Sequence, residues 1–389
     1  MTKRIAVITH SRYPVEPRAR RMAEACAEQG YAVDVFCLRE GDEPVQAVVN
    51  GVAIRRLPVA RHPGAGALVY LREYLQFFLL AAWRVAREHL RRRYDMVQVH
   101  NPPDVLAFAS LVPRILGARI LYDVRDLAPE LFMSRFNAAP DHLLGRTLYA
   151  SERWACRYAH GITCCTTHAF NVLTGRGVPA EKLTIVMNCP DDRFFGAVAL
   201  QPKPNGLRLV YHGTLPHRYG VNLLIRALPQ LAREIPGLRL DIIGFGDTQP
   251  ALEALARELG VDSITHFHGY VPLERIPAAI QGADLGVVPM RKDIFTDCGL
   301  PTKLLEYVAL GIPAVVSRTV TTTEYFADDM VQYFAPDNVA DLTTQILALY
   351  RDPMRAAQLA ANARRFIDEH NWAHEKAGYL RLVDHLLGA

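Results

Sequence analysis

A chain of 389 residues, half of them apolar, is long enough for two ordinary domains, each with a sizeable core. Its formal net charge of +4 is too mild and too dispersed for a nucleic-acid-binding class, and its composition is neither disordered nor fibrous. Seven cysteines without framework spacing, only Cys164 and Cys165 being adjacent, read as reduced thiols of a cytoplasmic protein.

The opening MTKRIAVITH has an apolar run too short for a signal peptide. It reads as a first strand, followed by a loop and a helix from about Arg18 to Gln29 that Gly30 ends. YAVDVFCL is the second strand. The most apolar helix candidate is LVYLREYLQFFLLAAWRVA, residues 68–86; Arg72, Glu73 and Gln76 interrupt it and argue against a membrane-spanning segment. MVQVH (96–100), RILYDV (119–124), GITCCT (161–166) and LTIVMN (183–188) continue an alternation of short apolar strands and amphipathic helices, the mark of a parallel α/β sheet. The polar, proline-rich residues 201–206 read as an interdomain linker.

The pattern then restarts with the strand LRLVYHG, the helix VNLLIRALPQLARE, and the strands LRLDIIGFG and SITHFHG. The helix IPAAIQGAD, the strand LGVVPM, the helix LPTKLLEYVALG ending in Gly311, and the strand IPAVVS follow. The stretch from about Asp352 to Leu387 is expected to be helical throughout, with Trp372 as its anchor. The expected fold is α/β: two Rossmann-like, doubly wound parallel-sheet domains, 1–200 and 206–371, facing across a cleft, and a terminal helix at 372–389 able to pack back on the first. Open sheets of this kind bind ligands outside the carboxyl ends of their strands.

The most informative stretch is Cys298–Glu306. Gly299 and Leu300 bring backbone close to a ligand, Pro301 suits a first helical turn, and amides at a helix N-terminus favour an anion. Lys303 adds a cation there, and Glu306, one turn on, can accept hydrogen bonds from ribose hydroxyls. The same residues also suit an ordinary surface helix with a Lys–Glu pair. The loop Gly213–Gly220, holding Thr214 and Arg218, follows the first strand of the second sheet. Gly244 and Gly246, and then Gly269 and Tyr270, follow the next two strands. Taken together these loops predict a nucleotide pocket. In the first half, His100 ends a strand, Asp123, Arg125 and Asp126 lie at the end of another, and His10, Arg12 and Arg18 belong to the first loop. That loop has no glycine before Gly30, which counts against a nicotinamide oxidoreductase. HExxH, Walker A, GxSxG and DxD patterns are absent, so no metal or other cofactor is expected, and Asp191–Asp192 reads as a turn. Arg61, His62, Arg72, Arg84, Arg87, Arg91, Arg92 and Arg93 cluster around the apolar helix. The cluster suits either a core helix capped by solvated arginines or a contact with an anionic membrane surface through 61–93.

GLPTKLLEYVALGIPAVVS (299–317) and HGTLPHRYGVNLLIRAL (212–228), supported by VQVHNPPD, YDVRDLAPE and VMNCPDDRFF, resemble the retaining GT-B glycosyltransferases of family four, in particular a subgroup from bacterial surface-polysaccharide loci. The resemblance implies metal-independent transfer of a sugar from a UDP- or GDP-linked nucleotide sugar to a hydroxyl of a glycan or lipid-linked acceptor. It also implies a cytoplasmic enzyme, peripheral on the inner face of the plasma membrane if the acceptor is lipid-linked. Glu306 matches the second of the family's two spaced glutamates, while the position of the first is Cys298. The family's loop arginine and lysine fall at Thr214 and Tyr219, which leaves Arg218 and Lys303 as substitutes toward the donor diphosphate. His100 matches the family histidine near the reacting centre. Donor contacts are then expected from Gly213, Thr214, Arg218, Gly244, Gly246, Gly269, Tyr270, Gly299, Leu300, Pro301, Lys303 and Glu306. Acceptor contacts are expected from His10, Arg12, Arg18, Asp123, Arg125 and Asp126. An epimerase of the same fold, or a non-catalytic nucleotide-sugar-binding protein argued from Cys298, are the alternatives.

Overall fold

The computed structural model describes residues 2–62, 66–136, 142–196 and 206–388. The chain divides into two compact units, Met1–Asn188 with Glu375–Ala389, and Cys189–His374. The linker expected at 201–206 lies, except for Gly206, outside the described residues.

In the first unit, eight strands among the described residues form one sheet: β1 Arg4–Arg12, β2 Ala32–Leu38, β3 Gln46–Val49, β4 Val52–Leu57, β5 Met96–His100, β6 Arg119–Val124, β7 Gly161–Cys164 and β8 Leu183–Ile185. Their order is β3-β4-β2-β1-β5-β6-β7-β8. Pairing is parallel except between β3 and β4. The central strands are covered on both faces, which is why they read as nearly unbroken apolar runs: Ile5, Ala6, Val7 and Ile8 are all buried. Register sets Thr9 beside His100, His100 beside Asp123, and Asp123 beside Thr163, a row across four adjacent strands at their carboxyl ends. The β3–β4 hairpin turns at Asn50 and Gly51, both left-handed at φ 50° and 78°, the backbone a two-residue hairpin turn demands.

The helical stretch expected from Asp352 to Leu387 is two helices, Pro353–Glu369 and Trp372–Leu387. They part at His370–Asn371, where the Asn371 side chain accepts from His374 N at 3.0 Å and starts the second helix. That helix buries Tyr379, Val383 and Leu387, and its Glu375 accepts from Met187 N at 2.8 Å in the first unit. No helix among the described residues is long and apolar enough to cross a membrane.

In the second unit, six strands among the described residues, β9 Arg208–His212, β10 Arg239–Ile243, β11 Thr265–Gly269, β12 Leu285–Val288, β13 Ala314–Ser317 and β14 Gln332–Phe334, pair in the order β11-β10-β9-β12-β13-β14. Every pairing is parallel. The order reverses between β9 and β12, and at such a switch point the flanking connections run to opposite faces and leave a crevice. The helix Thr302–Ala309 is fixed beside it: the buried Tyr307 hydroxyl donates to Val210 O at 3.2 Å and accepts from His212 N at 3.1 Å.

Candidate functional site

The loops after β9, β10 and β11 are laced together by backbone. Gly213 N donates to Ile243 O at 2.9 Å, Leu215 N to Phe245 O at 3.2 Å, and Gly244 N to Gly269 O at 2.8 Å. Gly244 has a φ of +145°, and a Cβ there would come within 1.8 Å of Gly213 O, so the glycine serves loop-on-loop contact. A Cβ at Gly246 would come within 2.9 Å of Leu215 N. Gly299, by contrast, has open space where a Cβ would stand. Phe245 and Tyr270, both exposed, meet edge-to-face at 5.7 Å. The loop 213–220 crosses the switch point: Arg218 O accepts from Arg291 N at 3.0 Å, and the left-handed Gly220 lies against Pro289 O, just past β12.

The charged groups sit where β9 and the helix Thr302–Ala309 meet. Pro301 is the N-cap and no side chain caps the helix; of its first-turn amides, Leu304 N donates to Pro301 O at 3.0 Å. Lys303 is 7% exposed, with Nζ 5.0 Å from the Tyr211 ring and 4.5 Å from the Tyr219 ring. Arg218 lies against the same Tyr219 ring at 5.5 Å and the Phe295 ring at 5.2 Å, and its Nε is buried without a hydrogen-bond partner. Among the described residues neither Arg218 nor Lys303 forms an ion pair; the partner of Glu306 is His212 Nε2, at the end of β9. Burial lowers the Lys303 ammonium to about 8, against the pull of Glu306 in the other direction. Thr214 is exposed and its carbonyl takes the Tyr211 hydroxyl at 2.6 Å, while Cys298 donates its thiol to Ile294 O at 3.1 Å.

In the first unit His100, expected near the reacting centre, is 1% exposed, and both its nitrogens are engaged. Tyr379 donates its hydroxyl to Gln98 Oε1 at 2.5 Å, which turns Gln98 Nε2 toward His100 Nε2 at 3.1 Å. His100 Nε2 is therefore an acceptor, and the ring proton sits on Nδ1, 2.7 Å from Asp123 Oδ2. Asp123 also accepts from Arg18 Nε at 2.9 Å, Arg18 Nη2 at 2.6 Å and Thr163 Oγ1 at 2.6 Å. Burial alone would raise the Asp123 carboxyl, but Arg18 and His100 override it and hold it far below the usual range. Arg18 and Asp123, expected at the acceptor side, are thus interior, 2% and 0% exposed. Glu16 links Arg18 to Arg125, since its carboxylate accepts from Arg18 N at 3.2 Å and pairs with Arg125 at 3.5 Å. Arg12 pairs with Glu40 and Glu43, Arg125 with Glu16 and Asp126, and His10 stands edge-on to Tyr74 and Phe77.

Residues 15–189 match the family Glycosyl transferase 4-like domain, and residues 198–366 match the family Glycosyl transferases group 1. The chain belongs to the GT-B glycosyltransferases. A glycogen synthase of Mycobacterium tuberculosis is 30% identical over 232 residues, 59% of this glycosyltransferase and 55% of the relative, so the chain spans about half the length of the relative it matches. Among solved structures, sucrose-phosphate synthase from Thermosynechococcus elongatus superposes with a TM-score of 0.81 at 16% identity, covering 99% of both chains. Anabaena HepE, solved in complex with UDP-glucose, gives 0.72 at 15% identity, covering 98% of this glycosyltransferase and 99% of that chain.

Sequence reasoning missed His212, the partner of Glu306, although its place at the end of a strand was a signal of the kind that singled out His100. It also missed Tyr211 and Tyr219 as the walls around Lys303, and Gln98 and Tyr379 as the residues that fix the His100 tautomer. The last two lie 281 residues apart and carry no local signal.

Proposed function

We propose that this glycosyltransferase moves a sugar, with retention, from a UDP- or GDP-linked donor to a hydroxyl of a glycan or lipid-linked acceptor, without a metal ion. The observation that carries the reading is Lys303: a cation 7% exposed that forms no ion pair among the described residues, beside the loop that crosses the switch point. A buried ammonium without a counter-charge is costly, and a donor diphosphate supplies that charge. Arg218 on the same Tyr219 ring and the uncapped helix start add donors for the same anion. His212 holds one oxygen of Glu306, which orients the other toward ribose hydroxyls. Phe245 and Tyr270 offer an exposed aromatic surface to the base. Negative charge gathers on the leaving diphosphate as the glycosidic bond breaks. Fixed cations then stabilise the transition state more than the ground state, and the departing phosphate takes the acceptor's hydroxyl proton.

The same reading gives the enzyme a cytoplasmic place, peripheral on an anionic membrane. The helix Ala67–Arg91 buries Tyr70, Phe77, Ala81 and Val85 on one side yet exposes Leu68, Leu71, Leu75, Leu79 and Trp83 on another. Arg84 and Arg87 lie 5.2 and 5.4 Å from the Trp83 ring, beside the basic run Arg91–Arg93. An apolar stripe edged by arginines suits an acidic lipid surface.

A mass-spectrometric screen of UDP- and GDP-sugars against free and lipid-linked acceptors, run in EDTA, tests the proposal. Transfer in the chelator is expected. Activity lost on chelation and restored by manganese, or interconversion of the donor without an acceptor, would refute it.

A further inference from the structure

Aromatic rings hold the two cations of the second unit that form no ion pair among the described residues. Lys303 Nζ lies 4.5 Å from the Tyr219 ring and 5.0 Å from the Tyr211 ring. The Arg218 guanidinium lies 5.5 Å from the same Tyr219 ring and 5.2 Å from the Phe295 ring. Tyr219 is the ring common to both cations, and its own place is fixed. Tyr219 N donates to Pro216 O at 2.9 Å, and the side chain packs on the apolar core of the second unit. The next residue, Gly220, is left-handed at φ 66°, and a Cβ there would come within 1.8 Å of Pro289 O, so the turn is seated tightly past β12. A Cβ on Gly213 would come within 3.2 Å of Lys303 Cε and 3.5 Å of Nζ, which sets the ammonium against the start of the same loop. Glu306, on the helix of Lys303, is engaged by His212, and Asp337 by Arg291. A carboxylate partner would fix a cation but cancel its charge and compete with an incoming anion. An aromatic face attracts a cation through its quadrupole and carries no net charge.

We infer that Tyr219 is a positioning residue of the donor site: its ring gathers Lys303 and Arg218 without neutralising either and leaves both charges for the donor diphosphate. Two long, flexible side chains are thereby ordered before the anion arrives, which removes part of the entropic cost of binding it. The ring also favours the charged form of Lys303 against the burial that lowers it to about 8. The other charged and titratable groups about Lys303 are Glu306 with its partner His212, Arg218, and Tyr211, whose hydroxyl is held by Thr214 O at 2.6 Å. This deepens the proposed transferase reading and rests on it for the diphosphate, whereas the gathering of the two cations stands on the loop geometry alone.

The test is calorimetric titration of the full chain with UDP or GDP, whichever wild type binds more tightly, between about pH 6 and 9.5. Tyr219→Phe keeps the ring and is expected to stay within about twofold of wild type. Tyr219→Leu removes the ring and should lose about fivefold or more in affinity. The pH at which its affinity begins to fall should move down by about half a unit or more, because the Lys303 ammonium has lost a favourable contact. Should Tyr219→Leu melt too early to titrate, Tyr219→Met removes the ring with a longer apolar chain in its place. In a Lys303→Met background the ring-free substitution should cost less affinity than it does in wild type. Affinity and pH onset unchanged in the ring-free variant overturn the inference. So do losses that simply add to that of Lys303→Met, which would make the ring a purely structural part of the loop. A phenylalanine variant as weak as the leucine one would assign the effect to the hydroxyl and overturn the ring. Failure of the donor reading beneath it would appear differently, as wild type without affinity for either nucleotide.

Discussion

Replacing Lys303 with methionine keeps an unbranched, apolar stem against Tyr211 and Tyr219 and removes only the ammonium. A hydrogen bond between a charged group and a diphosphate is worth about 1.5–3 kcal/mol, so UDP affinity should fall roughly 10- to 150-fold. Turnover should fall at least as far, because the contact tightens while charge develops on the leaving group. The pH dependence has a definite sign. In the nucleotide-free protein Lys303 is held at about 8 by burial, and a bound diphosphate raises that value. Below pH 8 the ammonium is present in both states. Above it, binding must take up a proton, and affinity falls by up to about tenfold per pH unit. Calorimetric titration of wild type between pH 7 and about 9.5 should show this fall, and Lys303→Met should be flat across the window. Stability runs the other way. The folded value lies below the unfolded one, so the unfolded chain binds more protons between them. The buried ammonium therefore costs stability below pH 8, and Lys303→Met should melt no lower than wild type at pH 7. A variant with unchanged affinity and turnover, or wild-type binding indifferent to pH across the window, refutes the assignment.

Glu306→Gln should weaken UDP binding by about 2–3 kcal/mol, since a charged acceptor for two ribose hydroxyls is lost while a bond to His212 can persist; unchanged calorimetric affinity would leave Glu306 a purely structural partner of His212. Tyr379→Phe leaves the buried Gln98 Oε1 without its donor, at a cost of about 1–3 kcal/mol. At roughly 2–4 °C per kcal/mol that is a readable drop in melting temperature, and a variant melting like wild type would remove the network's role. Flotation with acidic liposomes should weaken at high salt and on replacing Arg91, Arg92 and Arg93 with glutamine, and should be lost on replacing the exposed Leu71, Leu75 and Leu79 with glutamine. Equal flotation of wild type and both variants would place any lipid contact elsewhere.

Much of the architecture was legible because parallel strands buried on both faces leave contiguous apolar runs. RIAVIT and LRLVYH both fall on central strands, and the restart at Leu207 marks the second sheet. The β3–β4 hairpin was missed although its signal was present: Asn50–Gly51 between VV and VAI is the dipeptide that a two-residue left-handed turn selects. The break at His370–Asn371 escaped because a single Asn cap inside a helical pattern competes weakly with the periodicity around it. At the site, glycines and cations at strand ends pointed to the region, but partnership was not legible. His100 reads only as a strand-end histidine until Asp123 and Tyr379 are brought in from other elements, Tyr379 acting through Gln98 on the same strand. Likewise Lys303 and Glu306, neighbours on one helix, would be assigned to each other from spacing alone. Among the described residues they form no ion pair: Lys303 lies against tyrosine rings and His212 takes the carboxylate.

The central claim is that Lys303 and Arg218 together meet the donor diphosphate at the switch point between β9 and β12. A crystal structure of the chain with UDP bound tests it most directly. The account predicts the phosphates over the start of the helix Thr302–Ala309, with Lys303 Nζ and the Arg218 guanidinium both within about 4 Å of phosphate oxygens and Glu306 on the ribose. UDP held with both cations well beyond that reach, or seated away from this loop, would contradict it.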